Sequence, residues 1–233
     1  MSDQKEPKHT FVSLTPTTGT FLNVLEPKAV MKNGKATGDP KYSANFEFDL
    51  DHVELKAVKD LAVKAAKEKW PGRAIGKESS KKDENGNPKQ PTFIFPWTLG
   101  DDLAEHAKKR GKNREFSRGK LVLTARSKYE PRLSAIINGR MVDLEGDARA
   151  KSKNLFYTGV QVLFQVSFQA YDGVGANGLD GVTAYLDHVV SLNKGEKLIS
   201  GGPSAAEVFK GYVGTTTDED PTSGDDLDDE IPF

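Results

Sequence analysis

Residues 42–50 alternate. Tyr42, Ala44, Phe46, Phe48 and Leu50 are apolar, and Ser43, Asn45, Glu47 and Asp49 between them are polar. A period of two marks a strand with one face in a core, which assigns Phe46 and Phe48 to that core. The same period returns in 160–171, where every even position from Val160 to Ala170 is apolar and the odd positions, mostly Gln or Ser, end at Tyr171. In 182–192, Val182, Ala184, Leu186, Val190 and Leu192 share a face, with His188 in the same register. In 119–128, Leu121, Leu123 and Ala125 form the inward set; Lys120, Thr124, Arg126 and Lys128 form the outward set, with Val122 among them. Segments 18–25 and 92–98 also read as strands, the second confined to an edge by Pro96, which cannot donate to a ladder.

The period becomes helical from Leu55: Leu55, Val58, Ala62, Ala65 and Ala66 recur on one side, with lysines on much of the other. Asp51 is the expected N-cap with Glu54 three residues on, and Pro71–Gly72 stop the helix after Trp70. A shorter helix is predicted over 101–111, capped by Asp101 and ended by Gly111. The segment 72–91 is polar with a turn signal at Asn85–Gly86, and 172–181 is glycine-rich. Five or six unevenly spaced strands, one clear helix and long loops predict a mainly β chain. It closes most economically as a small five-stranded Greek-key barrel. The expected organisation is a flexible N-terminus over 1–17, one domain over 18–200, and over 201–233 a glycine-containing linker with a tail too poor in apolar residues to order itself.

Composition changes this picture mainly through charge. The chain of 233 residues has a formal net charge of −1, but eight of its 34 acidic residues lie in the last 16 positions. The rest carries 33 basic residues against 26 acidic ones. A basic body with an acidic tail points to nucleic acid as the partner. There is no cysteine, hence no disulfide framework and no thiolate metal site. No apolar run reaches the roughly 20 residues of a membrane span, and MSDQKEPKH lacks the apolar region of a secretory signal.

Between Lys108 and Arg132 lie ten basic residues, opposed only by Glu115 and Glu130. Arg110, Lys112, Arg114, Arg118, Lys120, Arg126, Lys128 and Arg132 are the candidate phosphate contacts. Alternate side chains along a strand stand about 6.5–7 Å apart, close to the phosphate spacing of an extended single strand. A solvated surface would carry similar charge, but single-strand binders pair such a stripe with aromatics on which bases stack. Trp97, Phe116, Tyr129 and Tyr171 are placed for that role. Phe93, Phe95 and Trp97 alternate and read first as core; Trp70, at a helix end, reads as packing.

Catalytic signals are weak. The four histidines are scattered, no Walker loop is present, and the segment after GVGANG alternates as a strand instead of opening a helix. Asp143, Glu145 and Asp147 alternate and leave open a metal-dependent nuclease or resolvase. No cofactor is expected.

Four stretches, TGTFLNVLEP, YSANFEFDLD with its helix, LTARSKYEPRLS and VSFQAYDGVGANGLDGVTAYLDHVVSL, together resemble the phage- and prophage-encoded single-stranded DNA-binding proteins of the oligonucleotide/oligosaccharide-binding (OB) fold. The resemblance spans about residues 18–198. It implies a non-enzymatic protein that binds single-stranded DNA without sequence preference during replication or recombination, in the cytoplasm of a bacterial host. It also implies that Arg126, Lys128, Tyr129, Arg132 and Tyr171 line the strand. An annealing protein for complementary strands is the remaining alternative, and monomer and dimer both stay open.

The tail, with Asp225, Asp226, Asp228, Asp229 and Glu230 followed by Ile231, Pro232 and Phe233, resembles the acidic, Pro-Phe-ending termini of bacterial single-stranded DNA-binding proteins. Partners such as polymerase, helicase, primase or nuclease would dock there. The acids can mimic a DNA backbone and compete for the basic face; as a flexible chain the last 23 residues reach roughly 25 Å.

Overall fold

The computed structural model describes residues 9–32, 35–73, 75, 93–173 and 179–198. The acidic tail, most of the 72–91 excursion and the centre of the glycine loop lie outside the described residues.

Among the described residues, nine strands and three α-helices follow in order: β1 (Thr10–Val12), β2 (Thr17–Lys32), β3 (Lys35–Asp49), α1 (Leu55–Lys69), β4 (Trp97–Leu99), α2 (Gly100–Lys108), β5 (Lys120–Ser127), β6 (Arg132–Ile137), β7 (Arg140–Asp143), α3 (Gly146–Ala150), β8 (Val160–Tyr171) and β9 (Gly181–Ser191). Neighbours pair in the cycle β2–β3–β5–β9–β8 and back to β2, which closes a five-stranded barrel. All its pairings are antiparallel except β5–β9. Numbered within the cycle as strands 1 to 5, the order is 1-2-3-5-4, and the chain is mainly β with an OB-type Greek-key barrel, as its sequence predicts.

The seam between β5 and β9 is narrow, with direct pairing only at Ala125 and Ala184. Residues 94–99 fill the rest. β4 pairs with β5, the Thr124 amide donates to the Pro96 carbonyl at 2.7 Å, and the Val182 amide to the Ile94 carbonyl at 2.8 Å. Pro96 thus keeps the one backbone role open to it, that of acceptor.

Inside, the alternating faces meet. Phe46 and Phe48 are fully buried, and the Phe46 ring stacks on Phe164 with centroids 3.8 Å apart. Leu55, Val58, Ala62, Ala65 and Ala66 are buried, so the helical stripe seats α1 on the barrel as expected. Trp70 packs edge-on to Phe93, and the Phe93–Phe95–Trp97 stripe lies against the core.

Several expectations are corrected. Leu50 continues the alternation but lies past the end of β3 and is exposed. His188 leaves the core face because β9 carries an extra residue: Gln165 pairs with His188 and Val166 with Leu186, so Asp187 bulges. A bulge reverses the parity beyond it; Val189 becomes fully buried, and His188 Nε2 lies 2.9 Å from Ser134 Oγ. α1 starts at Leu55, and no capping box forms. The Glu54 carboxylate instead accepts from the Leu14 amide and Thr15 Oγ1, both at 2.7 Å. α2 likewise starts without a side-chain cap, and Asp101 accepts from the Gly119 amide at 3.3 Å.

Residues 9–17, expected within a flexible N-terminus, include β1, which pairs with β8 and buries Phe11. The β6–β7 hairpin was not expected at all. Its signal is Asn138–Gly139, both at positive φ (52° and 76°), the residue pair that a tight hairpin turn selects.

Candidate nucleic-acid interface

The outward side chains of β3, β5 and β9 form the wall that OB barrels use for oligonucleotides, between the loops joining strands 1–2 and 4–5 of the barrel. A groove of about 700 Å³ crosses this wall. Its cations are Lys41, Arg126 and Lys128, and its tyrosines are Tyr129, Tyr171 and Tyr185. Lys41, Arg126 and Lys128 also line a second hollow, over the β2–β3 arm, with Asn23 and Ser43. Tyr171, Thr183 and Tyr185 line a third, with Lys69 and Gln169. The first hollow thus shares lining residues with each of the other two.

Strand chemistry explains each placement. Arg126 follows Thr124 on the outward parity of β5 and Lys128 comes directly after the strand, while Leu121, Leu123 and Ala125 are buried. Arg126 makes no ion pair among the described residues. Lys128 Nζ sits 2.7 Å from Asp39 Oδ2. That hydrogen bond raises the Lys128 pKa and lowers that of Asp39. Tyr129 is 82% exposed in the turn after β5.

Tyr171 ends β8 directly opposite Gly181. A Cβ at residue 181 would lie 2.6 Å from both Tyr171 Oη and the Ile94 carbonyl oxygen. Glycine there lets the ring lie close against the sheet beside the seam. The flanks of the glycine loop are tied to the end of α1 and the residues after it: Lys69 Nζ lies 2.6 Å from Asp172 Oδ2, and Asp180 pairs with Arg73, which lowers the Asp180 pKa.

The other sequence candidates occupy different surroundings. Trp97 stacks on Phe95 at 4.5 Å and is not among the residues lining the groove, whereas Phe95 itself lines it. Arg118 is held by Glu105 at 2.6 Å, Glu115 at 2.5 Å and Asp101 at 3.7 Å, and its pKa is raised by the first two. Lys120 Nζ lies 3.4 Å from the buried Glu47 carboxylate, which also accepts from Ser117 Oγ and Thr20 Oγ1. Arg114 is half-buried across the Phe21 ring, and burial lowers its pKa. Arg110 and Lys112 are exposed at the end of α2, without ion pairs among the described residues.

Arg132 is exposed on β6, paired in register with His188. Asp143 accepts from Ser134 Oγ at 2.6 Å, Glu145 precedes α3 and Asp147 lies in it. Among the described residues no three His, Asp or Glu side chains gather into a metal-binding group, so nothing in the geometry favours the nuclease reading.

Sequence reasoning missed Lys41 and Tyr185. Both were accessible to it: Lys41 precedes the polar set Ser43, Asn45 and Glu47, and Tyr185 lies between the inward Ala184 and Leu186.

The family model described as Enterobacter phage Enc34, ssDNA-binding protein, matches residues 12–222. The chain belongs to that family. Its members are DNA-binding proteins, not enzymes.

The solved structure of the single-stranded DNA-binding protein from bacteriophage Enc34 is 14% identical, covers 86% of this chain and 88% of its own, and superposes with a TM-score of 0.51. The C-terminal truncation of that protein gives 15% identity, 81% and 87% coverage and 0.53. Its complex with ssDNA gives 16%, 82% and 88%, and 0.51. At such identities the likeness concerns the fold. No curated protein matches the chain.

Proposed function

We propose that this protein binds single-stranded DNA without sequence specificity along the groove over β3, β5 and β9. The observation that carries the reading is one open groove lined by both phosphate-binding cations and tyrosine rings, on the OB wall of a chain belonging to a phage ssDNA-binding family. Arg126, Lys41 and Lys128 take phosphates, the last by exchanging Asp39 for the DNA. Tyr129, Tyr171 and Tyr185 offer faces to bases. Every base has a π-face, so stacking supplies affinity without reading sequence. Arg110 and Lys112 extend the basic track onto α2, and Arg132 extends it onto β6. Trp97, Arg118 and Lys120, occupied by Phe95 and by carboxylates, hold the scaffold.

Fluorescence anisotropy with labelled oligo-dT tests this. The protein should prefer the single strand to duplex, and log K should fall with log salt by about 0.7 per phosphate neutralised. Arg126→Ala with Lys128→Ala should lower that slope by roughly 1.4, two phosphates' worth. Equal binding to duplex, or a flat salt titration, would refute the reading.

The role that follows is protection and organisation of single strands during phage replication and recombination in the host cytoplasm. We further assign Asp225, Asp226, Asp228, Asp229 and Glu230 the part of a DNA competitor, and Ile231, Pro232 and Phe233 that of a partner contact. The support is their charge, opposite to the groove's, and the apolar Ile231–Pro232–Phe233 run that follows them, which suits an apolar pocket rimmed by Arg or Lys. Removal of 215–233 should tighten oligo-dT binding, most at low salt; unchanged affinity would count against competition. Removal of Phe233 alone should abolish capture of replication proteins, and retained capture would count against the docking role.

A further inference from the structure

Phe21 stands at a position that β-sheets ordinarily give to glycine. β2 advances three residues from Thr20 to Asn23 while β3 moves only two, from Asn45 to Ser43, and Phe21 takes up the difference at φ 48°. A bulky residue in the left-handed region is strained, and such strain clusters at functional sites. The conformation is held by the Phe21 amide, which donates to Thr158 Oγ1 at 3.1 Å, and by Asn23 Nδ2, which donates to the Phe21 carbonyl at 3.3 Å. The ring so presented is 37% exposed.

Other groups converge on it from the insert between β4 and β5. The Arg114 guanidinium lies 4.7 Å from the Phe21 ring centre and the Phe116 ring 6.3 Å away. Arg114 Nη2 is buried without a hydrogen-bond partner, although one guanidinium edge is anchored by Nε to Ser117 Oγ at 3.2 Å. Lys108, Lys109, Arg110 and Lys112 stand exposed on the same insert without ion pairs among the described residues. Arg118, by contrast, is fixed by its three carboxylates and braces the insert. Toward the tyrosine groove, Asn23 lines the adjoining hollow and donates to Ser43 Oγ at 3.1 Å, and Thr124 of the groove wall donates to Asn45 Oδ1 at 2.9 Å. A polar strip therefore runs along the barrel wall from the tyrosines to Phe21.

We infer that Phe21 and Phe116 form a second stacking subsite, which takes a nucleobase of the same single strand after it leaves the tyrosine groove. The unpaired cations of the insert take the adjoining phosphates. This rests on the ssDNA reading above and fixes the direction in which the strand extends: from Tyr171 and Tyr185, past Arg126, to the α2 insert. Aromatic platforms joined by a basic track are the elements from which single-strand sites are built.

The strain makes a clean test possible. Phe21→Gly removes the ring while suiting the backbone, because glycine adopts positive φ without penalty. Its melting temperature should match or exceed that of the parent chain. With oligo-dT of about 16 nucleotides, affinity should fall by about tenfold, the scale of losing one stacked base. With about 5 nucleotides, enough for the tyrosine groove, it should be unchanged. Phe21→Asn, the non-glycine residue most tolerant of this conformation, provides a second variant and should show the same length dependence.

Equal affinity of parent and variants for the long oligonucleotide would overturn the subsite while leaving the tyrosine groove standing. Loss with both lengths would overturn the separation of the two subsites. Failure of the parent chain to bind either length would instead overturn the ssDNA reading, and this inference with it.

Discussion

Phe46→Ala is expected to remove a large share of the barrel's stability. The ring is fully buried and stacks on Phe164 at the centre of the core, with Phe48 and Phe11 also against Phe164. Truncating such a ring costs about 3–5 kcal/mol, because transfer energy is lost and a cavity is left. Domains of this kind hold only about 5–15 kcal/mol in total. Urea denaturation followed by circular dichroism should show a large fall in midpoint. Leu50→Ala, on the same alternating pattern but exposed, should change it by no more than about 0.5 kcal/mol equivalent. A Phe46→Ala midpoint equal to that of the parent chain would sink the assignment of this core.

Tyr185→Ala is expected to do the opposite: leave the fold intact and cut DNA affinity. Its ring is 38% exposed on the outward parity of β9, between the groove and the hollow that holds Lys69. Loss of one base-stacking aromatic costs about 1–3 kcal/mol of binding, about fivefold or more in dissociation constant. Anisotropy with oligo-dT reads the affinity and a thermal melt reads the fold. Unchanged affinity with an unchanged melt would remove Tyr185 from the site.

The contrast between these two residues shows what alternation can and cannot assign. Period-two patterning placed Phe46, Phe48, Val160 and Leu186 inside because a strand has only two faces and water selects between them. It also put Arg126 and Lys128 outside. Outside, however, is not one environment. Trp97, Arg118 and Lys120 come from the same charged and aromatic stretch as Arg126, yet one stacks on Phe95 and two are held by carboxylates. Those carboxylates come from Glu47 on β3 and from Asp101, Glu105 and Glu115 on the insert, and their approach depends on how the insert folds over the wall. A linear count of charge therefore does not separate cations held by carboxylates from those without an ion pair among the described residues.

The departures from regularity were least legible. The bulge at Asp187 turns His188 off the core face and brings Val189 into it, and the bulge at Phe21 stands a ring out of β2. Both depend on the partner strand's register, which local sequence does not contain. The Asn138–Gly139 turn, by contrast, was fully encoded locally.

By itself, then, the sequence determined the mainly β class, the inward residues of four of the five barrel strands as far as the bulge in β9, the apolar stripe of α1, and the contrast between a basic body and an acidic tail. These follow from periodicity and composition, which are properties of short segments in water. Only the tertiary structure decided that residues 94–99 close the β5–β9 seam, that Tyr171 lies opposite Gly181 in the groove shared by Tyr185 and Arg126, and that Arg118 is held by carboxylates while Arg126 makes no ion pair among the described residues. These are contacts between residues far apart in the chain. The energies of closure, ion pairing and stacking depend on distances of a few ångströms, which exist only once the barrel has closed.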